Sequence, residues 1–570
     1  MNAGRVKLND IFNGTKILEI PFFQRSYVWG EEQWERLLDD MYDLCSTNKS
    51  YFLGSVILKQ QPTSLGDPIG DKRIVIDGQQ RLTTINIFFK VLCLKLNDNK
   101  TFESLFKLMR RDCFAIIHNH NDIAAFERIL VLDNLEKNNG TDQISLCYDY
   151  FSKNMDVKKL DIDKILLNTL FVGIDIDENE DEQQIFDTIN SLGVKLTTAE
   201  LLKNYFFNKD NISMYDSYWK NIYELDDETK EYWDTEITTG RIKRTFIDIF
   251  LYSYLQIKIQ ANTLNVSTED KIEFSRVEHL FLSFKNFISN YFDNDKKSLL
   301  AELKEYAVIF RDNFDLEIIE DHLVSEAGIE RINALIFGLD NTTLIPYVLY
   351  ILRQNSDVKQ RNELFEYLET YIMRRIVCKT INKNYNQLFT DRLIHNEIKN
   401  KTDFINYIEK QADKGNYMPK DNELLDGFNN NVIYNKAATG ILYFIESKIR
   451  KNNLHATKLL GLHKYSLEHL MPKKWINKWG KLQNQADIDK RNKKLLTLGN
   501  LAIITQHLNA KIRDSDWKTK KHGTNNNGLC DYTSDLETIT SYLKLDVWDE
   551  TEIEKRATDL YNHAVNIWKI

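Results

Sequence analysis

Proline and glycine are scarce in this chain of 570 residues, which contains 6 prolines and 21 glycines. Because few residues break regular structure, long helices should dominate wherever strands are not evident. A chain of this length also exceeds what one hydrophobic core usually organises. We therefore predict a multidomain α+β protein that is mostly helical.

The first part of the chain departs from this helical pattern between residues 17 and 90. Short apolar runs and amphipathic stretches follow one another in the order strand, helix, strand, strand, helix. The β-branched run at 74–76 ends at Asp77 and Gly78, and the next helix has its apolar residues on one face. Another strand is predicted at 170–176, followed by a helix from about Glu182. This order predicts an α/β domain.

Two polar segments in this domain are candidates for anion binding. An anion at the strand end would meet the backbone beside glycine, the amides of a helix N-terminus and a guanidinium. An aspartate there could hold magnesium, and the glutamines could orient phosphate oxygens. The candidate residues are Asp77, Gly78, Gln79, Gln80 and Arg81, together with Gln24 and Arg25.

A simpler interpretation of the same residues stays open. Asp77 and Gly78 could form a turn that ends a strand, with Arg25 and Arg81 paired to carboxylates. No Walker A loop, Rossmann glycine pattern or kinase motif is visible. The residues alone therefore indicate an anion site and do not identify a nucleotide.

Five aromatic residues lie in or near the first polar segment. Such rings could stack on a modified base. Packing in a hydrophobic core is the more common use of aromatic side chains. The residues are Phe22, Phe23, Tyr27, Trp29 and Trp34.

The middle of the chain, from about residue 213 to 400, has helical spacing of apolar residues in almost every window and no fixed-period repeat. The opening residues lack the apolar core of a signal peptide, and no apolar run is long enough to span a bilayer. We expect a cytoplasmic protein with no membrane partner. The six cysteines have no paired short spacing, which argues against a zinc knuckle or a disulfide framework.

Positive charge is concentrated near the end of the chain. Residues 448–521 contain 18 Lys and Arg against 5 Asp and Glu, a net charge of +13, whereas the whole chain carries −9. A block of like charge often forms only a solvated face. Because this block also contains the motif described next, we predict that it binds DNA phosphates. The candidate lysines are Lys473, Lys474, Lys493, Lys494 and Lys511.

Glu468 and His469 stand side by side before a proline inside this basic block, and two asparagines follow at 500 and 509. Histidine can take a proton from water, and the glutamate and Asn509 could hold a divalent ion. Asn500 would fix the loop or orient His469. A lone Glu-His pair is ordinary and is more often structural than catalytic, so the complete pattern carries this prediction.

Asparagine at position 509 bears on the choice of metal. An amide carbonyl oxygen suits magnesium or manganese better than zinc. His507 lies about 200° away from Asn509 on a helix, so we expect it at the surface or near a phosphate.

Several segments resemble one family of known proteins. PFFQRSYVW, YFLGSVIL, VIDGQQRLTT and QQIFDTINSLGVKLTTAELLKNYFF are similar to the N-terminal domain of GmrSD-type, type IV modification-dependent restriction enzymes, over roughly residues 6–207. The resemblance implies a ParB/sulfiredoxin-like fold, with nucleotide binding and hydrolysis at the DGQQR segment. Asn190 falls in the family's NS-x-G segment, with a role that is less defined.

The other end of the chain resembles the same family. SLEHLMP and LGNLAIITQHLNAKI are similar to its HNH-type nuclease domain, over about residues 430–568, and 371–378 also look like this family. Many HNH enzymes have histidine where this chain has Asn509. The resemblance implies a ParB-like NTP-binding and sensor domain at 1–210, a helical region at 211–425, and at 426–570 a ββα-metal (HNH-like) domain embedded in helices.

We therefore expect a DNA endonuclease with an associated NTPase activity that acts in antiviral defence. Its partners would be a nucleotide (GTP, CTP or ATP), Mg²⁺ or Mn²⁺, and double-stranded modified phage DNA. Two alternatives stay open, a nucleotide-gated DNA-binding switch with weak nuclease activity and a non-specific toxin nuclease. The sequence also leaves open whether the chain forms a homo-oligomer.

Overall fold

The computed structural model describes residues 2–47, 49–61, 71–108, 113–136, 140–177, 197–240, 242–410, 415–450, 459–480, 482–523, 527–533 and 536–570. The chain forms two compact units. The first comprises residues 1–225 and 278–297, and the second comprises residues 226–277 and 298–570. The protein is multidomain and mostly helical, as the sequence predicts, and it has a mixed sheet in the N-terminal region.

The first 225 residues contain six strands and ten α-helices among the described segments. The strands are β1 (Asn2–Lys7), β2 (Lys16–Glu19), β3 (Tyr51–Gln60), β4 (Asp71–Asp77), β5 (Ile116–Ile117) and β6 (Thr169–Ile176). The helices are α1 (Leu8–Ile11), α2 (Glu31–Thr47), α3 (Gln79–Leu96), α4 (Asn99–Phe106), α5 (Ile123–Leu130), α6 (Gln143–Asn154), α7 (Ile162–Asn168), α8 (Thr198–Phe206), α9 (Ile212–Tyr215) and α10 (Asn221–Tyr223).

The six strands form one mixed sheet in the order β1-β6-β3-β4-β2-β5. β1 and β4 run antiparallel to their neighbours β6 and β3, whereas β3 is parallel to β6 and β2 is parallel to both β4 and β5. The sequence order of strand, helix, strand, strand, helix is therefore confirmed, and α3 begins two residues after β4 ends.

Both faces of the sheet are buried, because its strands carry apolar side chains on both sides. Val75 faces a large core that includes α2, α3 and α6, whereas its neighbours Ile74 and Ile76 belong to a smaller cluster. α3 is buried on all sides along most of its length, and not only on the one face where the sequence places its apolar residues. This burial fixes the turn between β4 and α3.

A capping box begins α8. The Thr197 backbone N–H donates to Glu200 Oε2 at 2.8 Å, and the Glu200 N–H donates to Thr197 Oγ1 at 3.2 Å. The helix predicted to begin at Glu182 and the segment containing Asn190 lie outside the described residues.

The middle of the chain is helical, as its periodicity predicts. Its α-helices are α11 (Asp227–Asp234), α12 (Phe246–Gln260), α13 (Thr268–Phe274), α14 (Leu280–Tyr291), α15 (Lys296–Asn313), α16 (Ile329–Asn333), α17 (Ile345–Gln354), α18 (Val358–Val377), α19 (Tyr385–Gln387), α20 (Leu393–His395), α21 (Lys401–Lys410), α22 (Asp421–Asn430) and α23 (Asn435–Ile449).

One element of this region was not predicted. β7 (Glu236–Thr239) and β8 (Ile242–Thr245) form an antiparallel pair within what the sequence suggests is helix. Gly240 permits the tight reversal because its φ is +65°. The two strands are too short for their alternation to stand out against the helical periodicity around them.

The last part of the chain contains a second antiparallel pair and six helices among the described residues. The strands are β9 (Tyr465–His469) and β10 (Leu501–Thr505). The helices are α24 (Gln485–Lys494), α25 (Gln506–Ile512), α26 (Trp517–His522), α27 (Leu529–Tyr532), α28 (Glu537–Thr540) and α29 (Glu550–Ile567).

Buried polar contacts join these last helices to the middle ones. Arg331 forms a bidentate pair with Glu369 at 2.6 and 2.8 Å, and the Trp568 indole donates to the same carboxylate at 3.2 Å. Arg374 donates to the carbonyl of Trp568 at 2.6 Å and to that of Pro419 at 3.0 Å. Glu369 and Arg374 therefore form a clamp that holds Trp568, the residue that follows α29.

Candidate active site

The short strand β9 carries both residues of the Glu-His pair. It runs antiparallel to β10, with Glu468 opposite Ala502 and His469 opposite Leu501. β10 leads directly into α25, whose first turn is capped by Thr505. Since β10 is buried almost throughout, the sheet pair and the helix behind it are held in fixed register.

Asn509 reaches back from α25 to β9. Its Nδ2 donates to Ser466 Oγ at 3.0 Å and to the carbonyl of Leu467 at 3.1 Å. Ser466 and Glu468 point to the same side of the strand, because alternate residues share a face. With its nitrogen held by the strand, Asn509 keeps its carbonyl oxygen as the atom that could bind a cation.

Glu468 is buried and already has a cationic partner. Its carboxylate forms a close ion pair with Lys520 of α26, and both side chains are almost completely buried. Lys520 Nζ also donates to the carbonyl of His469 at 2.7 Å. Burial raises the pKa of Glu468 and lowers the pKa of Lys520, and each charge opposes the shift of the other.

His469 is half-buried at the end of β9. Burial, together with the positive charges of Lys473 and Lys520, lowers its pKa from 6.5 to about 4. The imidazole is therefore neutral at pH 7, which is the form that can accept a proton from water.

Asn500 lies in the core next to this strand and is completely buried. Its Oδ1 accepts from the Met471 N–H at 2.8 Å and from the Trp548 indole at 3.0 Å. Its Nδ2 donates to the carbonyls of Met471 and Leu495 at 2.9 and 3.0 Å. Because these four bonds use both ends of its amide, Asn500 fixes the backbone just after His469.

The five candidate DNA-binding lysines separate into two groups. Lys473, Lys474, Lys493 and Lys511 are exposed. Lys494 is buried, donates to the carbonyl of Asn429 at 2.9 Å and pairs with Glu554 at 3.2 Å. His507 is exposed, as expected. Four of the five lysines are thus exposed to a phosphate backbone, although the Lys511 ammonium lies 5.5 Å from the centroid of the Tyr532 ring. The fifth joins helices.

The available donors suit a hard divalent ion in kind but do not form a complete site. Glu468 and Asn509 offer oxygen atoms, which magnesium and manganese prefer. Within the part of the chain that the structure describes, no three His, Cys, Asp or Glu side chains come together to hold a metal. Instead of further acidic or histidine side chains, the ammonium of Lys520 lies next to Glu468. Nothing in the spacing of the basic block singled out Lys520 among its 18 cations.

The N-terminal motif forms a second cluster around the turn between β4 and α3. Asp77 accepts from Ser55 Oγ at 2.9 Å and pairs with Arg81 at 3.4 Å. Arg81 also donates to the carbonyl of Ser55. Gly78 has a φ of +101°, and β3 packs where its side chain would be. Asp77, Gly78 and Arg81 thus bind β4, α3 and β3 together.

The two glutamines of the motif hold the loop that contains Gln24 and Arg25. Gln80 accepts from the Val28 N–H at 2.9 Å and donates to the carbonyl of Ser26 at 3.2 Å. Gln79 donates to the carbonyl of Arg25 at 3.4 Å. Asn119, which the sequence did not single out, donates to the same carbonyl at 3.1 Å. The side chain of Arg25 is exposed.

Gln24 lies apart from these contacts and lines a cavity of about 490 Å³. Its side chain is only 7% exposed. Lys59, Lys72 and Lys285 also line the cavity, as do the rings of Phe22, Phe207, Tyr205 and Phe281. Lys72 pairs with Glu19 there. The cavity therefore combines net positive charge, aromatic rings and a buried amide.

The other aromatic residues of the first segment pack inside the domain. Tyr27 and Trp34 are buried, and the Trp34 indole donates to the Tyr27 hydroxyl at 2.8 Å. That hydroxyl also bonds Thr84 of α3 at 2.6 Å. Trp29 packs against the same core. Core packing thus accounts for these three rings.

The chain belongs to the GmrSD restriction endonuclease family. Residues 8–207 match the model of the GmrSD restriction endonuclease N-terminal domain, and residues 418–562 match the model of the C-terminal domain. This confirms the resemblance found in the sequence motifs. The two domains imply a DNA endonuclease with a restriction role, which binds DNA.

No curated protein gives a match to the chain. Among the described helices, none is both long enough and apolar enough to span a bilayer.

Proposed function

We propose that this protein is an NTP-dependent endonuclease that senses modified DNA and cuts phage genomes by a metal-assisted mechanism. The observation that carries the proposal is the end of β9, where a neutral His469 adjoins a buried Glu468 and Asn509 reaches the same strand. Exposed lysines of the same basic block provide contacts for DNA phosphates.

In this proposal His469 takes the proton from the attacking water. Glu468 and Asn509 would hold Mg²⁺ or Mn²⁺, which would neutralise charge on the scissile phosphate and the leaving oxygen. Asn500 fixes the backbone that follows His469 through its bonds to Met471.

The nucleotide part of the proposal draws support from the cavity beside Gln24. Its volume of about 490 Å³ lies within the range of small-molecule sites. Lysines could meet phosphates, the rings could meet a base, and the Gln24 amide could bond a polar edge. Asp77 and Arg81 would act by fixing β4 and α3 beside that cavity, whose wall includes β4 residues 74–76.

Cleavage of three phage genomic DNAs tests the nuclease assignment. The DNAs are unmodified, hydroxymethylated and glucosylated at cytosine, each incubated with Mg²⁺ or Mn²⁺, with and without GTP, CTP or ATP. We expect cleavage of modified DNA only, and its loss in His469→Ala. His507→Ala is the matched control, since His507 is an exposed histidine two residues from Asn509. Full activity of His469→Ala would refute the assignment of the base.

NTP turnover tests the nucleotide assignment separately. We expect Asp77→Asn to abolish turnover, because it removes the charge that holds Arg81 beside β3. Asp71→Asn is the control, since Asp71 lies on the same strand and pairs with Arg73 instead. Equal turnover in both variants would refute a role for Asp77 in hydrolysis.

The two alternatives predict other results. A toxin nuclease would cut all three DNAs equally. A nucleotide-gated binding switch would turn over NTP, bind DNA without cutting it, and protect cells from phage even as His469→Ala. Protection by the wild type but not by His469→Ala would exclude the switch.

A further inference from the structure

Lys520 is the cation that pairs with the proposed metal ligand Glu468, and it reaches that residue from a different element. Its side chain is 1% exposed, and its ammonium bonds the Glu468 carboxylate and the carbonyl of His469. A buried carboxylate and a buried ammonium each need the other, because an isolated charge in the interior is costly. Lys520 therefore keeps Glu468 charged and ordered.

The same contact conflicts with a divalent ion. An ion bound to Glu468 would lie close to the ammonium, in surroundings that screen charge poorly. Both cations also need oxygen atoms of one carboxylate. Lys520 bonds Glu468 Oε1, so a divalent ion cannot have both carboxylate oxygens to itself while Lys520 stays where it is.

We propose that Lys520 is a resident cation that competes with Mg²⁺ or Mn²⁺ for Glu468, so that the metal binds only as the ammonium withdraws. This inference rests on the proposed function, because that function makes Glu468 a metal ligand. Lys520 is thus a positioning residue that stabilises the metal-free site and lowers its affinity for the ion.

Contacts that do not involve the ammonium hold the helix that carries Lys520. α26 is capped by Asp516, whose carboxylate accepts from the Thr519 N–H at 3.0 Å. Trp517 stacks on Trp548 with ring centroids 5.2 Å apart. Lys521 donates to the carbonyl of Leu545 at 2.7 Å. These contacts anchor α26, whereas the long flexible stem of Lys520 lets its head shift alone.

Binding of Mn²⁺ to the full-length protein, without DNA or nucleotide, tests the inference. Free Mn²⁺ is measured by its EPR signal during titration of the wild type and of Lys520→Gln, Lys520→Met and Lys521→Gln. We expect both Lys520 variants to bind at least about tenfold more tightly than the wild type, a difference that titration resolves easily. Lys521→Gln should match the wild type, because Lys521 is also buried on α26 but bonds Leu545.

Glu468→Gln completes the set and should lose the tight Mn²⁺ binding gained in Lys520→Gln when the two changes are combined. Circular dichroism identifies the variants that fold, and Lys520→Gln keeps a donor for Glu468 if Lys520→Met does not fold. Unchanged or weaker Mn²⁺ binding in Lys520→Gln would overturn the inference, as would an absence of binding in every protein.

The inference and the proposed function fail in different ways. Tighter binding in the Lys520 variants with no DNA cleavage by the wild type would support the competition and refute the nuclease function. Metal-dependent cleavage by the wild type with unchanged Mn²⁺ affinity in both Lys520 variants would refute the competition alone.

Discussion

At the junction of β4 and α3, Gly78 has a φ of +101° and lies against β3. An added Cβ would be 3.0 Å from Val56 Cγ2 and 3.2 Å from the carbonyl oxygen of Ser55. We expect Gly78→Ala to lower the free energy of unfolding by about 2 kcal/mol, because it combines backbone strain with a close contact. Urea denaturation followed by circular dichroism measures the change.

Comparison with Gly240→Ala separates the effect of backbone strain from that of the close contact at Gly78. Gly240 has a φ of +65°, and a Cβ added there would meet no atom within 4 Å, so only the backbone strain applies. Its cost should be about 1 kcal/mol. If both substitutions cost the same, close packing against β3 contributes nothing at Gly78.

His118 should make the first unit sensitive to acid. It is 3% exposed, bonds Thr83 at 2.9 Å through Nε2, and accepts from the Asn119 N–H at 3.0 Å through Nδ1. Burial lowers its pKa from 6.5 to about 4. The unfolded chain therefore binds a proton more readily, and stability that is complete above pH 6.5 is lost as the pH falls towards 4.

The loss should approach about 3 kcal/mol near pH 4, at about 1.4 kcal/mol for each unit of pKa shift. Hydrogen exchange of the α3 amides between pH 7 and 4, corrected for intrinsic rates, measures this loss of stability in the first unit alone. His118→Gln should flatten that dependence. An equally steep dependence in the variant would assign the acid sensitivity to other groups.

Among elements, α29 has a strong influence on the position of β10. Arg556 is completely buried and donates to the carbonyls of Thr538, Gly499 and Leu501 at 3.0, 2.8 and 2.8 Å. Arg556→Met removes the donor that these carbonyls share, so we expect a loss of about 3 kcal/mol or more in unfolding free energy.

Since β10 pairs with the strand that carries His469, Arg556→Met should also reduce DNA cleavage at temperatures where the protein stays folded. Lys555→Met is the control, because Lys555 is the exposed neighbour of Arg556. Thermal unfolding and cleavage rates are measured on both variants. A stable Arg556→Met protein with normal cleavage would show that α29 does not position β10.

The elements that the sequence predicts are those with a strong periodic signal. The strand and turn at 74–78 and the helix after them are clear, because β-branched residues precede a glycine and then helical spacing. β7 and β8 are too short to give such a signal. Lys494 and Lys520 resemble the exposed lysines in sequence, and only the fold places them beside Glu554 and Glu468. The partners of Asn500 likewise come from distant segments.

At the scale of the whole molecule, charge is distributed unevenly, with +13 in residues 448–521 of a chain that carries −9. DNA binding should therefore weaken steeply with salt. Replacing Lys473 and Lys474 together by glutamine should reduce the slope of log K against log salt by up to about 2, since each phosphate contact contributes about 0.9. Fluorescence anisotropy with a DNA duplex measures the slope.

Lys494→Gln is the matched control for that experiment. Lys494 belongs to the same basic block but is bonded to Asn429 and Glu554. The Lys494→Gln variant should leave the salt dependence of DNA binding unchanged and have a lower thermal unfolding temperature. A reduced slope in Lys494→Gln would mean that burial does not keep this lysine from DNA.

The clamp that joins Trp568 to Glu369 and Arg374 has a consequence for synthesis on the ribosome. The contact between Trp568 and Glu369 spans 199 residues, and Arg556 reaches the backbone beside β10. Chains grow at about 5–20 residues per second, so His469 is made several seconds before these partners. A nascent chain therefore lacks this support for the proposed nuclease site until its synthesis has passed Trp568, which would delay any cleavage of DNA in the cell that makes it.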